Sequence, residues 1–281
     1  FAAPVPAGGL VLTAGVDMQQ DRLEIEIVAW GHGEESWSID YQVLWGDPLQ
    51  GDVWEELEVL LSGTWQHETG AHLPITAACV DTGGTGGTTQ AAYEWLRGKT
   101  GRRIFGTKGV GGWGRPIVAS PSRKRSGQRR RHVDLFLVGV DEAKLTVMRR
   151  LGVAAPGPGY CHFPEDRDED WYRQLTAETL VTRYVKGFKV RDRNEALDCR
   201  VYALAALKIA SPSMKRAEES LMRDVEAVEQ AREQRSRAQP TEPPTVAQPQ
   251  VEKTPEVPDT AANKRPRRAR PVRPRGWVNN W

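Results

Sequence analysis

The stretch Leu10-Val-Leu-Thr-Ala-Gly-Val-Asp17-Met-Gln-Gln-Asp21-Arg-Leu-Glu-Ile-Glu-Ile-Val-Ala-Trp-Gly31 decides the fold. Its first apolar run, Val11 to Val16, ends on a carboxylate, Asp17. After a polar turn, Leu23, Ile25 and Ile27 alternate with Arg22, Glu24 and Glu26, the period-2 pattern of a half-buried strand. The alternation continues with Trp37, Ile39, Tyr41, Val43 and Trp45 on one face. Together these runs predict a three-strand meander whose first strand, the most apolar, is central. An unpaired carboxylate at the end of a central strand is costly to bury, so Asp17 calls for a partner, a proton or a metal. A turn aspartate capping the hairpin is the other reading.

Working outward, residues 1–9 form a Pro/Gly-rich lead-in, and the meander fills 10–46. Val53, Leu57, Leu60 and Leu61 share one face of a helix over 52–61, with Asp52 as its N-cap. A second apolar strand over 75–81 also ends on an acid, Asp81. A Gly/Thr loop over 82–89 leads to a helix over 90–96, then a basic-edged strand over 102–106 that runs into Thr107-Lys108-Gly109. The segment 109–132 is Gly-rich and then strongly basic, with Arg123, Lys124, Arg125, Arg129, Arg130 and Arg131. Its glycines and cations predict a mobile loop that grips a nucleic-acid backbone. Further elements are a strand over 133–138, helices over 141–151 and 168–176, strands over 160–163 and 180–185, and a last core helix over 194–210.

The core domain therefore spans 10–211 and is followed by a charged helical extension over 212–238. Residues 239–263 are rich in Pro, Thr and Glu and read as a disordered linker. Residues 264–281 are basic, carry no acidic side chain, and end in a segment containing Trp277 and Trp281. The whole chain of 281 residues has a net charge of +2, so the placement of charge says more than its total. Cys79, Cys161 and Cys199 are too scattered for a disulfide framework or a zinc site and fit a reducing cytosol. No run is long and apolar enough to span a membrane, and no signal peptide is visible. A chain that begins at Phe1 is expected to be a fragment or domain of something longer.

Three carboxylates hold strategic positions: Asp17, Asp81 and Asp198, the last within Asn194-Glu-Ala-Leu-Asp198-Cys-Arg-Val-Tyr-Ala-Leu-Ala-Ala-Leu207. Glu195 lies one turn before Asp198, on a face that continues through Val201, Tyr202 and Ala205. A capping role for Asn194 and a helix-dipole role for Glu195 explain Glu195 well and Asp198 badly. Either acid is a candidate ligand. Converging carboxylates repel unless cations neutralise them. Hard oxygen donors with no His/Cys set favour Mg²⁺ or Mn²⁺, and a pair of such ions suits phosphodiester cleavage. The order of elements is that of a ribonuclease H-like α/β fold, a mixed sheet flanked by helices.

Gly15-Val-Asp17-Met-Gln-x-Asp-Arg-Leu-Glu, Gly-x-Gly33-Glu-Glu-Ser-Trp37, Val80-Asp-Thr-Gly-Gly84, Thr107-Lys-Gly109 and the Asn194–Leu207 segment together resemble the nuclease half of the large terminase subunit of lambda-type tailed phages. The resemblance covers about residues 8–210. It implies a metal-dependent endonuclease that cuts concatemeric double-stranded DNA during packaging in the cytoplasm of the infected bacterial host. Its partners would be the small terminase subunit and the portal or procapsid. The carried-over acids are Asp17, Asp81, and Glu195, Asp198 or both. Lys108 would contact the scissile phosphate, or is an ordinary strand-end lysine. The basic tail with Trp277 and Trp281 would dock on the portal; otherwise it is a DNA-binding arm. No Gly-x-x-x-x-Gly-Lys-Ser/Thr loop is present, so no nucleotide site and no packaging motor is expected in this chain.

Two rival readings stand beside this one. Asp81-Thr-Gly-Gly-Thr-Gly-Gly-Thr88 resembles the phosphate loop of actin/hexokinase-type ATPases. In that superfamily, however, the Gly-rich loop sits in the first hairpin, where this chain has Met18-Gln19-Gln20. A non-catalytic DNA-binding or capsid-docking module would use the two basic segments alone and would not require the acids.

Overall fold

The computed structural model describes residues 4–84, 87–121, 133–181, 187–190 and 193–238. The meander forms as read: β1 (Val11–Met18), β2 (Arg22–Trp30) and β3 (Ser36–Trp45) pair antiparallel in sequence. Next come α1 (Asp52–Leu61), β4 (Thr64–Gln66), β5 (His72–Asp81), α2 (Thr88–Leu96), β6 (Ile104–Val110), β7 (Val118–Ala119) and β8 (Leu135–Gly139). The described chain continues through α3 (Val140–Leu151), β9 (Cys161–His162), α4 (Glu169–Leu175), β10 (Glu178–Val181), β11 (Gly187–Val190), α5 (Glu195–Ala210) and α6 (Met214–Ala238).

One nine-stranded sheet runs β7-β8-β6-β5-β1-β2-β3-β9, with β4 on the outer part of β5. Strands β1, β5, β6 and β8 are mutually parallel, and β2 is antiparallel to β1. This is the mixed, helix-flanked sheet of the ribonuclease H-like class. Strand β1 lies in its middle, and every residue of β1 is buried. Helices α1 and α2 cover one face, where Val16, Leu23, Ile25 and Ile27 meet Val53, Leu57 and Leu96. Helices α3, α4 and α5 cover the other, where Val28, Trp30 and Cys79 meet Val147, Leu175, Val201 and Leu204. Each such aliphatic side chain contributes roughly 1.5–3 kcal/mol by leaving water.

Several expectations are corrected. Strand β2 is not half-exposed: Glu24 and Glu26 are 1% and 0% exposed. Both sheet faces are covered by helices, so the polar side of β2 is an interior of ion pairs. Strand β3 does not keep its five aromatic and aliphatic residues on one face. The β2/β3 register shifts between Ile27 and Val28, which pair with Asp40 and Ser38 and leave Ile39 as the extra residue. That bulge reverses the alternation. Trp37 and Ile39 pack toward α1, while Tyr41 packs on the α5 side and Leu44 takes its place opposite. Helix α1 is capped by Gly51 rather than Asp52, which is its first residue.

Helix α5 is buried on all sides, not along one stripe, because it lies between the sheet and α3 and α4. Of the strand expected over 180–185, Leu180 and Val181 are described and belong to β10, which pairs antiparallel with β11; the rest of it lies outside the described residues. Part of the expected loop 109–132 is strand, since β7 pairs with β8. The lead-in is held in place: Val5 is buried and its amide donates to the Gln66 carbonyl at 2.9 Å. Leu221 of α6 packs with Leu10, Val11 and Ala71. The basic cluster 123–131, the linker 239–263 and the tail 264–281 lie outside the described residues.

Candidate active site

The α5 face of the sheet gathers the acids, and Gly15 makes this possible. A Cβ at Gly15 would lie 1.9 Å from the Cys199 carbonyl oxygen and 2.4 Å from the Ala203 amide nitrogen. Only a residue without a side chain lets the α5 backbone rest directly on β1. The Thr13 hydroxyl donates to the Ala203 carbonyl at 2.8 Å and accepts from the Trp30 indole at 2.7 Å, which fixes the helix along the strand. Side chains two apart on β1 share a face. Asp17 therefore points to the same side as Gly15, toward the turn of α5 that carries Asp198. On β5, Ala77 and Cys79 belong to this face, so Asp81 projects to it as well.

The electrostatics show that the three acids share one environment. Burial holds the Asp17 carboxyl well above the ordinary aspartate range, and the charges of Asp198 and Asp81 push it further in the same direction. Gln19 Nε2 opposes the shift by donating to Asp17 Oδ2 at 2.6 Å. The Asp81 carboxyl is raised by burial; the Tyr202 hydroxyl, the Gly83 and Thr82 amides and the nearby Lys108 ammonium work against that rise. Burial also raises Asp198, opposed by Lys144 and assisted by the charges of Glu178 and Asp81. Lys108 is exposed on β6, and its charge acts on Asp81.

Asp198 and Glu195 are separated by their partners. Asp198 Oδ1 lies 3.0 Å from Lys144 Nζ, and Asp198 Oδ2 accepts from Asn194 Nδ2 at 2.9 Å. Lys144 is also bonded to Glu178, whose Oε1 accepts from Asn194 Nδ2 at 2.8 Å. Asn194 caps α5 by position, but its side chain is committed to these two acids and not to the helix amides. Glu195 instead joins arginines: its Oε1 is 2.8 Å from Arg22 and 3.2 Å from Arg193, both of which also hold Glu24. Its charge still contributes to raising Asp17.

Lys144, Glu178 and Gln19 escaped the sequence reading, and Tyr202 was read only as packing. Gln19 and Tyr202 lie inside the quoted motifs but received no role at the site there, and the positions of Lys144 and Glu178 carry no motif signal. Lys144 sits among ordinary surface-type residues of α3, and Glu178 lies in a separate two-stranded sheet.

The residues present fit a hard divalent cation. All donors are carboxylate oxygens, and Asp81 Oδ1 is buried with no hydrogen-bond partner. Among the described residues, however, no three His, Cys, Asp or Glu side chains stand close enough together to hold a metal ion. Asp198 is engaged instead by Lys144 and Asn194, both of which also bond Glu178.

Comparison with known proteins follows the same lines. The family model for the terminase large subunit gpA endonuclease domain matches residues 2–218. The chain is 37% identical over 223 residues to the terminase large subunit of Escherichia phage lambda, covering 75% of this chain and 34% of that protein. It is 32% identical over 226 residues to the terminase large subunit of Enterobacteria phage P21, again covering 75% and 34%. The chain thus spans about a third of the length of the curated relatives it matches. No solved structure matches it. The match takes in both strand-end acids, the acid-bearing α5 and the sheet that aligns them: the chain belongs to the terminase large subunit endonuclease-domain family.

Proposed function

We propose that this chain is a Mg²⁺- or Mn²⁺-dependent endonuclease that cuts concatemeric double-stranded phage DNA during packaging, in the cytoplasm of the infected host. The observation that supports the reading is geometric: Asp17 and Asp81 end two strands of the sheet face covered by α5, the helix that carries Asp198, with Asp17 buried and the other two half-buried, and the charges of Asp81 and Asp198 both act on Asp17. Asp17, Asp81 and Asp198 would hold two cations, which when bound supply Lewis acidity to the attacking water and the leaving oxygen. Gln19 orients Asp17, Tyr202 orients Asp81, and Asn194 orients Asp198. Lys108, whose charge acts on Asp81, would contact a phosphate, and Glu195, buried beside Arg22, would border the site. Endonuclease-family membership leaves the actin/hexokinase-type ATPase reading of loop 81–88 without support.

The partners belong to the same proposal. The basic segment 123–131 would bind the DNA backbone, the tail with Trp277 and Trp281 would dock on the portal or procapsid, and a small terminase subunit would share the assembly. No described helix is long and apolar enough to cross a membrane.

Supercoiled plasmid incubated with the purified chain and Mn²⁺ tests the activity. Cleavage is expected, and Asp17→Ala or Asp81→Ala should reduce it by more than about 100-fold while folding and DNA binding persist. Cleavage by Asp17→Ala at the wild-type rate would overturn the assignment.

A further inference from the structure

Lys144 is nearly buried on α3, and its ammonium stands between two carboxylates of different standing. Asp198 acts on Asp17, and Glu178, on β10, acts on Asp198. Lys144 is 3.0 Å from Asp198 Oδ1 and bonded to Glu178 Oε1. Asn194 repeats the bridge with its single amide group, 2.9 Å from Asp198 and 2.8 Å from Glu178. Each Asp198 oxygen is thereby engaged by a donor from outside the cluster. Asp81, by contrast, keeps one buried oxygen with no partner. The two ends of the site are therefore unequal: the Asp81 end is open to a cation, while the Asp198 end already carries a positive charge.

From this juxtaposition we infer that Lys144 is a positioning residue, an internal counter-cation that competes with a divalent ion for Asp198, with Glu178 as the carboxylate that receives it when the ion binds. The inference rests on the reading of Asp17, Asp81 and Asp198 as cation ligands. It makes binding stepwise. Asp17 and Asp81 would hold a first ion. The second must displace the Lys144 ammonium from Asp198 Oδ1, and that ammonium keeps its bond to Glu178. The second step is the weaker one, and its affinity is set by how well Glu178 retains the lysine.

Calorimetric titration of the full chain with Mn²⁺, without DNA, tests this independently of cleavage. Lys144→Met should tighten the weaker step by about tenfold, and Glu178→Gln should weaken it by a similar factor. Should Lys144→Met fail to fold, Lys144→Gln carries the same test. In an Asp198→Asn background the gain from Lys144→Met should disappear, because the contested oxygen has lost its charge. An equal gain there would show that Lys144 acts only through the general field and would overturn the inference, as would unchanged or weaker binding by Lys144→Met alone. If the wild type binds no Mn²⁺, the ligand assignment and the inference fall together. Wild-type binding that Asp17→Asn abolishes, with no response to Lys144 substitution, would overturn the inference alone.

Discussion

Gly15 and Cys199 approach each other more closely than any side chain permits: a Cβ on Gly15 would stand 1.9 Å from the Cys199 carbonyl oxygen. Asp17 follows Gly15 by two residues on the same strand face, and Asp198 immediately precedes Cys199. One backbone contact therefore sets the distance between two acids of the site. Gly15→Ala should push α5 off β1, costing about 3 kcal/mol from overpacking. Nuclease activity should fall further than that loss of folded population explains. Urea unfolding followed with plasmid cleavage on the same preparation checks both; wild-type activity in a stable Gly15→Ala protein would detach the helix contact from catalysis.

The raised acids make stability depend on pH in a stated direction. Asp17, Asp81 and Asp198 all hold protons more tightly in the folded chain than at the ordinary value of 3.8. Between 3.8 and the raised values the folded state binds more protons than the unfolded one, so their contribution is fully present on the acid side and is lost as pH rises. Asp17→Asn removes one such group. In metal-free buffer it should be more stable than wild type at neutral pH, by about 1–3 kcal/mol. The gap should close as the buffer approaches pH ~4, where an unfolded aspartate also takes up its proton. Thermal melts of both proteins across that range suffice, and a gap independent of pH would contradict the assigned cause.

Beneath the same helix, Arg200 binds Glu26 through two bonds of 2.9 and 2.6 Å, with the Ser38 hydroxyl donating to Glu26 at 2.7 Å. Both charged groups are out of solvent, with side chains 3% and 0% exposed. Glu26→Gln leaves a buried guanidinium without its counter-charge and should cost about 3–5 kcal/mol. Replacing both, as Glu26→Leu with Arg200→Met, should recover most of that loss. A double variant as unstable as the single one would show that the pair does more than neutralise itself.

Arg129, Arg130 and Arg131 are predicted to contact DNA phosphates. Their joint replacement by alanine should weaken DNA binding with little dependence on sequence. It should also lower the slope of log affinity against log salt by about 3, near 0.9 for each lost contact. Filter binding at several salt concentrations measures the slope, and an unchanged slope would assign the segment to something other than DNA.

Deleting residues 264–281 should spare cleavage of naked plasmid and abolish binding to purified portal or procapsid. Portal binding that survives the deletion, together with a loss of DNA affinity, would make the tail a nucleic-acid arm.

What the sequence by itself determined was whatever depends on neighbours in the chain. The apolar run before Asp17, the alternation in β2 and the second run ending at Asp81 state strand identity and place two acids at strand ends, because side-chain direction in a strand follows from local parity. The helical spacing of 194–210 likewise put Asp198 in a helix without reference to anything distant. Tertiary structure decided which faces were covered and by what. Glu24 and Glu26 look solvent-facing by alternation, yet helices on both sides of the sheet bury them, and arginines from as far away as Arg193 and Arg200 neutralise them. The bulge at Ile39 turned the second half of β3 over, a one-residue offset that composition does not announce. Asp198 and Glu195, three residues apart on one helix, were both candidate ligands in the sequence, with only Glu195 having a ready structural explanation. Packing separated them, since Arg22 and Arg193 meet Glu195 while Lys144, 54 residues before Asp198 in the chain, meets Asp198. Coulomb interactions act through space, and only the fold sets those distances.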